Sequence, residues 1–331
     1  MEIRHIFKTL TLFVILALTS NANAQDPAFT QFYANPIYLN PAMAGSHGCP
    51  RVNMNHRNQW PSISGAFITN SISYDQFSNP LHGGIAVMLT NDMAGKNTIN
   101  WSTINLAYSY HLQVSRKFSF LFGAQATWNQ KFLDWNKLTF GDMIDPRRGF
   151  IYATGDVPRG RYNNGTGWGT RGFFDASAGI VGFSDKFYFG FAAHHLNKPE
   201  ETLILGNSKM PMRFTGNMGA NIPLGRTSKY SNGTSLSPNI IYMYQDGFMQ
   251  LNLGMYVKYG SFTAGAWWRE GDAFILSIGV DAGTFRFGYS YDITTSKLTN
   301  ASGGSHELSL GLNFNCKKKP KKFRTISCPS F

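Results

Sequence analysis

Residues 249–259 read MQLNLGMYVKY. Odd positions are Met249, Leu251, Leu253, Met255, Val257 and Tyr259, and between them lie Gln250, Asn252, Gly254, Tyr256 and Lys258. A period of two marks a β-strand with one apolar face, because successive side chains point to opposite sides. The pattern recurs along the chain. In Met212–Leu224 the even positions are Met212, Phe214, Gly216, Met218, Ala220, Ile222 and Leu224. Phe285, Phe287, Tyr289 and Tyr291 alternate with Arg286, Gly288, Ser290 and Asp292, and Leu308, Leu310, Leu312 and Phe314 alternate with Glu307, Ser309, Gly311 and Asn313. Fourteen such segments are found, at 51–58, 65–76, 83–92, 98–113, 116–133, 172–184, 186–196, 211–223, 236–245, 248–259, 261–269, 273–282, 284–293 and 306–315.

A soluble sandwich would bury the same apolar face, so alternation alone does not choose between sandwich and barrel. Connector lengths do. If the chain starts in the periplasm, the three longest connectors, 134–171, 197–210 and 294–305, all fall on the external side, and short turns such as 184–186 fall inside. Short periplasmic turns with long external loops are the outer-membrane barrel pattern. The connector 225–235 is a long exception on the inside. Tyr108, Tyr110, Phe187, Phe189, Tyr242, Tyr244, Tyr289 and Tyr291 supply rings suited to bilayer interfaces. The sequence therefore predicts an all-β chain: a transmembrane antiparallel β-barrel of about 14 strands, of outer-membrane type.

The rest of the composition agrees. The chain has 331 residues with 34 Gly, 27 Phe and 15 Tyr, and only 15% charged residues, a mix poor for helices and good for strands. Residues 1–24 read as a secretory signal peptide: Arg4 and Lys8, then the apolar Leu10–Leu18, then Ala22-Asn23-Ala24 as a small-x-small cleavage site. That run is too short to span a bilayer. Gln25 becomes the mature N-terminus. Three cysteines, Cys49, Cys316 and Cys328, leave at least one thiol unpaired within the chain. Cys316 and Cys328 bracket the tail and could close a loop, with Cys49 free or paired to a partner. Of the net charge of +12, six charges come from Lys317, Lys318, Lys319, Lys321, Lys322 and Arg324. A basic tail is not the spread basic face of a nucleic-acid binder, so no nucleic-acid partner is expected. The domain reading is 1–24 signal peptide, 25–50 an N-terminal periplasmic or lumen-entering segment, 51–315 barrel, and 316–331 a basic periplasmic tail.

Candidate chemistry is sparse. His194-His195 is the only paired histidine, and adjacent strand residues face opposite sides, so the two read as ordinary strand-end histidines. Asn91-Asp92, Asp142 and Asp145 lack EF-hand spacing and read as solvated acids. No G-x-S-x-G, H-E-x-x-H or P-loop is present. No enzyme activity, metal or cofactor is expected. Arg213, Arg269, Arg286 and Glu307 fall on polar strand faces, where they would pair with acids such as Asp175 and Asp281 or line a conduit. The loop 134–171 is long enough to fold inward as a plug or outward as a lid.

The most distinctive stretch precedes the first strand: QDPAFTQFYANPIYLNPAMAG at 25–45, with two Asn-Pro pairs set between aromatics. Each Pro fixes its own φ and pushes the preceding Asn toward extended backbone. Together with HRNQWP at 56–61, SYD at 73–75 and LTNDMAG at 89–95, it resembles the PorP/SprF family of Bacteroidetes type IX secretion. Asn35, Pro36, Asn40, Pro41, Ala42, Gly45, Arg57, Gln59, Trp60, Asn91, Asp92 and Gly95 match the family pattern. The resemblance implies a non-catalytic outer-membrane barrel. It also implies partners: the periplasmic ring and lipoprotein components of the apparatus, the C-terminal domain of a secreted adhesin in gliding bacteria, and the outer-membrane lipids around the barrel. Of the matching residues, Asn35, Pro36, Asn40, Pro41, Ala42, Gly45, Arg57, Trp60, Asn91 and Asp92 become the candidate partner-binding set. The alternative is a diffusion channel of the porin or fatty-acid-transporter type, which would need an open polar lumen.

Overall fold

The computed structural model describes residues 26–314 apart from 116, 153, 156–159, 164–165, 204–207, 225–232 and 297–301. Residues 1–24, read above as a signal peptide, and the basic tail with Cys316 and Cys328 lie outside the described residues. Cys49 is disulfide-bonded, so the reading that leaves it free does not hold.

The strands are β1 (Arg51–Gln59), β2 (Phe67–Ser78), β3 (Gly83–Ala94), β4 (Ile99–Gln113), β5 (Phe118–Asp134), β6 (Ile144–Asp145), β7 (Gly149–Phe150), β8 (Gly160–Asn163), β9 (Thr166–Ser184), β10 (Phe187–His194), β11 (Arg213–Ala220), β12 (Ile222–Leu224), β13 (Thr234–Gln245), β14 (Phe248–Tyr259), β15 (Phe262–Arg269), β16 (Ala273–Asp281), β17 (Phe285–Thr294) and β18 (Ser305–Asn313). Four are accessories. β6 and β7 form a small hairpin in the loop after β5, β8 folds back on β9, and β12 continues the line of β11 against β13. The other fourteen make a closed antiparallel barrel, as the sequence predicts. β18 pairs with β1 (Arg51 opposite Asn313), so the first and last strands seal the wall and leave no open edge.

The two faces of that wall are inverted relative to a soluble protein. On β14, Met249 and Tyr259 are 64% and 59% exposed while Asn252 is fully buried. Asn53, Asn55, Arg57, Ser71 and Ser73 are buried, whereas Leu106, Ile278, Phe285 and Phe287 face outward. A sandwich would bury the leucines; this wall buries its polar side chains and presents apolar ones to lipid.

All the long described connectors, after β5, β10 and β17, lie at one end, and short turns such as Ser184–Phe187 lie at the other. The long-loop end is external by the barrel rule. In the described part of the loop after β5, Asp142 is exposed and Asp145 half-buried, and both accept from backbone amides of their own loop, Gly155 at 2.7 Å and Arg147 and Arg148 at 2.8 Å, rather than reaching into the lumen.

The lumen is filled instead by residues 26–49. Phe29, Phe32, Tyr33, Ile37, Leu39, Ala42 and Met43 are buried. Several of them pack on a shelf of inward-facing apolar residues, among them Leu121, Val181, Ile241, Tyr256, Trp267 and Ile275. Asp26 sits beside Gln245 and Arg213 at the external mouth, and Gly45 beside Asp75 at the periplasmic end. The segment thus runs the length of the lumen before turning into β1.

Candidate functional site

The proline of each Asn-Pro pair starts a turn. Pro36 opens the one-turn helix Pro36–Leu39, and Pro41 opens the 3-10 turn Pro41–Met43. At the first helical position a missing N–H costs no hydrogen bond. Asn40 is extended (φ −158°, ψ 121°) and works in two directions. Its Oδ1 accepts from the Ala42 amide at 2.9 Å, and its Nδ2 donates to the Ile180 and Phe191 carbonyls of β9 and β10, each at 3.2 Å. Asn35 donates from Nδ2 to Ser71 Oγ at 3.0 Å.

The wall is cut away to receive this turn. A Cβ on Gly179 would overlap the Asn40 side chain, and one on Gly123 would overlap the Ala42 backbone. Gly45 has φ +66°, and a Cβ there would meet Gly84 and the Gln76 carbonyl. We therefore expect Gly123→Val to destabilise the seated plug by about 1–3 kcal/mol through overpacking. Gly216→Val, where nothing lies within 4 Å of the new Cβ, serves as the control. Denaturant titration combined with limited proteolysis of the plug checks this; equal behaviour of the two variants would count against the seat.

An outer latch holds the start of the plug. Asp26 is 2.9 Å from Arg213 Nη1 and 2.7 Å from His195 Nε2, and His195 Nδ1 is 2.9 Å from Asp175. Arg213 also donates to the Tyr38 hydroxyl at 2.9 Å, and Tyr38 donates to the Pro27 carbonyl. The reading of His195 as an ordinary strand-end histidine is corrected here. β10 stops at His194, and His195 takes φ +59°, which turns it inward rather than to the opposite face. Both histidines are consequently buried. Burial alone would lower the His195 pKa, but Asp26 and Asp175 outweigh it and hold it up at about 9. Burial would raise Asp26, but His195 and Arg213 pull it well below the usual carboxylate range. The signs give a window. His195 contributes fully below its unfolded value near 6.5 and loses its contribution as pH rises through about 9. Asp26 contributes above its unfolded value near 3.8 and loses its contribution only in strong acid. We expect cleavage of the plug's first residues by added protease to rise between pH 7 and pH 9.5 in wild type. In His195→Gln that rise should be absent; a wild-type profile in the variant would exclude the latch.

A second network lies below the latch. Glu307 accepts from the Thr30 amide at 2.6 Å and the Gln31 amide at 3.2 Å. Gln31 returns a bond to the Glu307 carbonyl at 2.9 Å and accepts from Ser309 Oγ at 2.6 Å. Arg57 pairs with Asp292 at 2.9 Å and Glu307 at 3.5 Å and donates to Thr30, and Arg269 pairs with Asp292 at 3.2 Å. Among the described residues these arginines form no direct salt bridge with Asp175 or Asp281. Asp175 holds His195, Asp281 pairs with Lys258 at 3.1 Å, and Arg286 reaches Asn53 at 3.0 Å. At the periplasmic end Arg51 meets Asp75 at 2.6 Å, and Asp75 accepts from the Gly45 amide at 2.8 Å.

The ten candidate partner-binding residues separate into three places. Asn35, Pro36, Asn40, Pro41, Ala42, Gly45 and Arg57 are in the lumen. Trp60 is in the external β1–β2 turn, its ring edge-on to Phe67 and its amide bonded to the Gly304 carbonyl at 3.0 Å. Asn91 points outward from β3. Asp92 points inward, accepts from Thr69 Oγ1 at 2.6 Å, and lines a polar cavity of about 60 Å³ with Asn129 and Asp175. Sequence reasoning missed Asp26, Thr30 and Asp292. Asp26 is the one acid in the apolar lead-in, a usable signal; Thr30 carried none. Among the described residues no group of three or more His, Cys, Asp or Glu is placed to hold a metal.

No curated protein matches the sequence. Solved structures to which this chain is similar include the CymD monoaromatic hydrocarbon channel (12% identity over 88% of this chain and 96% of that one, TM-score 0.48). A Pseudomonas aeruginosa FadL homologue is 12% identical over 88% of this chain and 100% of that one, with TM-score 0.47. The Acinetobacter baumannii outer membrane protein Omp33 is 8% identical over 82% and 100%, with TM-score 0.43. These likenesses concern the barrel alone. The sequence itself matches the family described as type IX secretion system membrane protein PorP/SprF over residues 21–312. With the Asn-Pro plug seated in a closed outer-membrane barrel, the chain belongs to the PorP/SprF family of type IX secretion system membrane proteins.

Proposed function

We propose that the protein works by binding: a plugged, non-conducting outer-membrane scaffold that engages periplasmic ring and lipoprotein components of type IX secretion and supports export and surface attachment of an adhesin through that adhesin's C-terminal domain. The observation that carries this reading is the plug. Residues 26–49 fill the lumen from mouth to mouth and are tied to the wall by buried ion pairs. Asn40, Pro41 and Gly45 then serve partner binding indirectly, by holding one closed shape to which other components dock. Trp60 and the external turns, with the periplasmic turns at the other end, are the surfaces left for direct contact.

A diffusion channel needs an open path, and residues 26–49 lie buried along that path among the described residues. His195 is not placed as the base that would take a serine proton in a lumen hydrolase. Both ring nitrogens of His195 face carboxylates, so it acts as a charged clamp and not as a base. The test is co-purification from detergent-solubilised outer membranes followed by mass spectrometry. Recovery of secretion lipoproteins or a large adhesin, lost on Trp60→Ala, supports the reading. A partnerless barrel that conducts ions in a planar bilayer overturns it.

A further inference from the structure

The polar cavity of about 60 Å³ beside the outer latch has a floor of side-chain amides held in fixed orientations. Asn105 donates from Nδ2 to the Met88 carbonyl at 3.2 Å, so its Oδ1 accepts from Gln125 Nε2 at 3.0 Å and Thr127 Oγ1 at 2.7 Å. Gln125 keeps Oε1 in hand. Asn129 Oδ1 accepts from the Trp101 indole at 3.0 Å, which leaves Nδ2. An indole only donates and a carbonyl only accepts, so none of these amides can be turned round. Strand register sets the residues side by side: Asn105 lies opposite Thr127, and Gln125 opposite Ser177.

Among the described residues, Gln125 Oε1, Asn129 Nδ2, Thr90 Oγ1, Ser177 Oγ, Asp175 Oδ1 and Arg213 Nε have no hydrogen-bond partner, and all these side chains line the one cavity. Each residue is at most 9% exposed. A buried polar atom left unpaired is costly, and so many around one space call for a shared partner. The demand is mixed. Gln125 Oε1 and Asp175 Oδ1 only accept, Asn129 Nδ2 and Arg213 Nε only donate, and the two hydroxyls do either. An ammonium would leave the donors unmet, and a phosphate or carboxylate the acceptors. A hydroxyl meets both.

We propose that this cavity is a sugar-binding site open to the cell exterior, taking the hydroxyl-bearing edge of a neutral sugar residue. Asp92 and Trp101 at its rim are half-buried and stand next to the β3–β4 turn, which bonds the start of the long loop after β5 (Asp134 amide to Thr98 carbonyl, 2.8 Å). Asn105 and Gln125 lie deeper and are buried. The volume has room for about four water-sized groups, the edge of a sugar ring with its hydroxyls and not a whole ring. Water shares the duality of a hydroxyl. Met88, Tyr38 and Trp101 also line the cavity, however, and offer apolar surface that sugar carbons use and water does not. Asp26, Pro27 and Tyr38 of the plug form one side, so bound sugar and seated plug stabilise each other. The site needs no protein partner and is independent of the scaffold reading.

The test titrates the detergent-solubilised protein by calorimetry with the methyl glycosides of glucose, galactose, mannose and N-acetylglucosamine. Saturable binding of at least one is expected. Thr90→Val with Ser177→Ala removes two hydroxyls that have no partner among the described residues, so this double variant should fold and remain heat-modifiable. It should bind that glycoside at least about tenfold more weakly, the worth of two hydrogen bonds. Ser277→Ala removes a buried hydroxyl, also without a described partner, that lies on β16 away from the cavity, and should bind as wild type does. Saturating glycoside should also slow protease release of the plug's first residues in wild type and not in the double variant. No saturable binding of any of the four would mean that the cavity holds water alone and would overturn the proposal. So would wild-type affinity in the double variant, or an equal loss in Ser277→Ala.

Discussion

Deletion of residues 26–46 from the mature chain should convert a silent barrel into one that conducts ions in discrete steps across a planar bilayer. The wall is expected to survive the deletion, because its strand-to-strand ladder and the β1–β18 closure do not pass through the plug. Cys49 and its disulfide are retained. The charges that the plug now covers, Arg57, Arg269, Asp292 and Glu307, would face water in the emptied lumen, where their solvation replaces the lost bonds. Eight-stranded barrels are filled by side chains, and those with about 16 to 18 strands hold an aqueous channel. Fourteen strands lie nearer the second case, and the polar inner face suits water. Removing the plug should therefore open a path, with the apolar shelf around Leu121, Val181 and Ile275 narrowing it on one side. Planar-bilayer recording with heat-modifiability as the folding check decides it. A folded deletion variant that stays silent would mean that something other than the plug closes the barrel. Wild type conducting as strongly as the variant would remove the basis for a non-conducting scaffold.

The barrel was legible in the sequence because its logic is local. Alternation at Met249–Tyr259 or Phe285–Tyr291 states which side chains face lipid, and connector lengths state which end is outside. The lumen was not legible, because its contacts are not local. Thr30 meets Glu307 across 277 residues of chain, and no period encodes that meeting. Tyr256 and Trp267 break the polar inner face of their strands. They are part of the shelf on which Phe32 and Tyr33 rest, with ring centroids of Phe32 and Trp267 5.0 Å apart. His195 was misjudged for a geometric reason: the rule that neighbours face opposite sides holds only while the backbone stays extended, and its φ of +59° ends the strand. The Asn-Pro pairs mark where the lead-in turns, at Pro36 and at Pro41. They could not announce its direction, with its start at the far mouth of the lumen.

Arg57→Ala should be the most damaging single substitution in the lumen, destabilising the protein by about 3–5 kcal/mol, the usual cost of removing one partner from a buried ion pair. Arg57, Asp292 and Glu307 are at most 3% exposed at their side chains. Without Arg57, Glu307 has no cation within salt-bridge distance among the described residues, and Asp292 keeps only Arg269. Glu307 also carries the Thr30 and Gln31 amides, so the loss reaches the plug directly. The exposed pair Lys137–Asp134, with the lysine 46% exposed, gives the contrast: Lys137→Ala should cost less than about 1 kcal/mol. Charge balance supplies a sharper check. Adding Glu307→Gln to Arg57→Ala removes the stranded carboxylate, so the double variant should be more stable than the sum of the singles predicts, with a coupling of about 0.5–3 kcal/mol. Guanidinium unfolding of the reconstituted barrel measures the stabilities. Proteolysis at low denaturant should show the upper plug, Asp26 to Gln31, released before the wall opens. Strictly additive variants would mean that Arg57 and Glu307 act separately, and a wild-type unfolding midpoint in Arg57→Ala would mean that the plug is held by packing on its aromatic shelf alone.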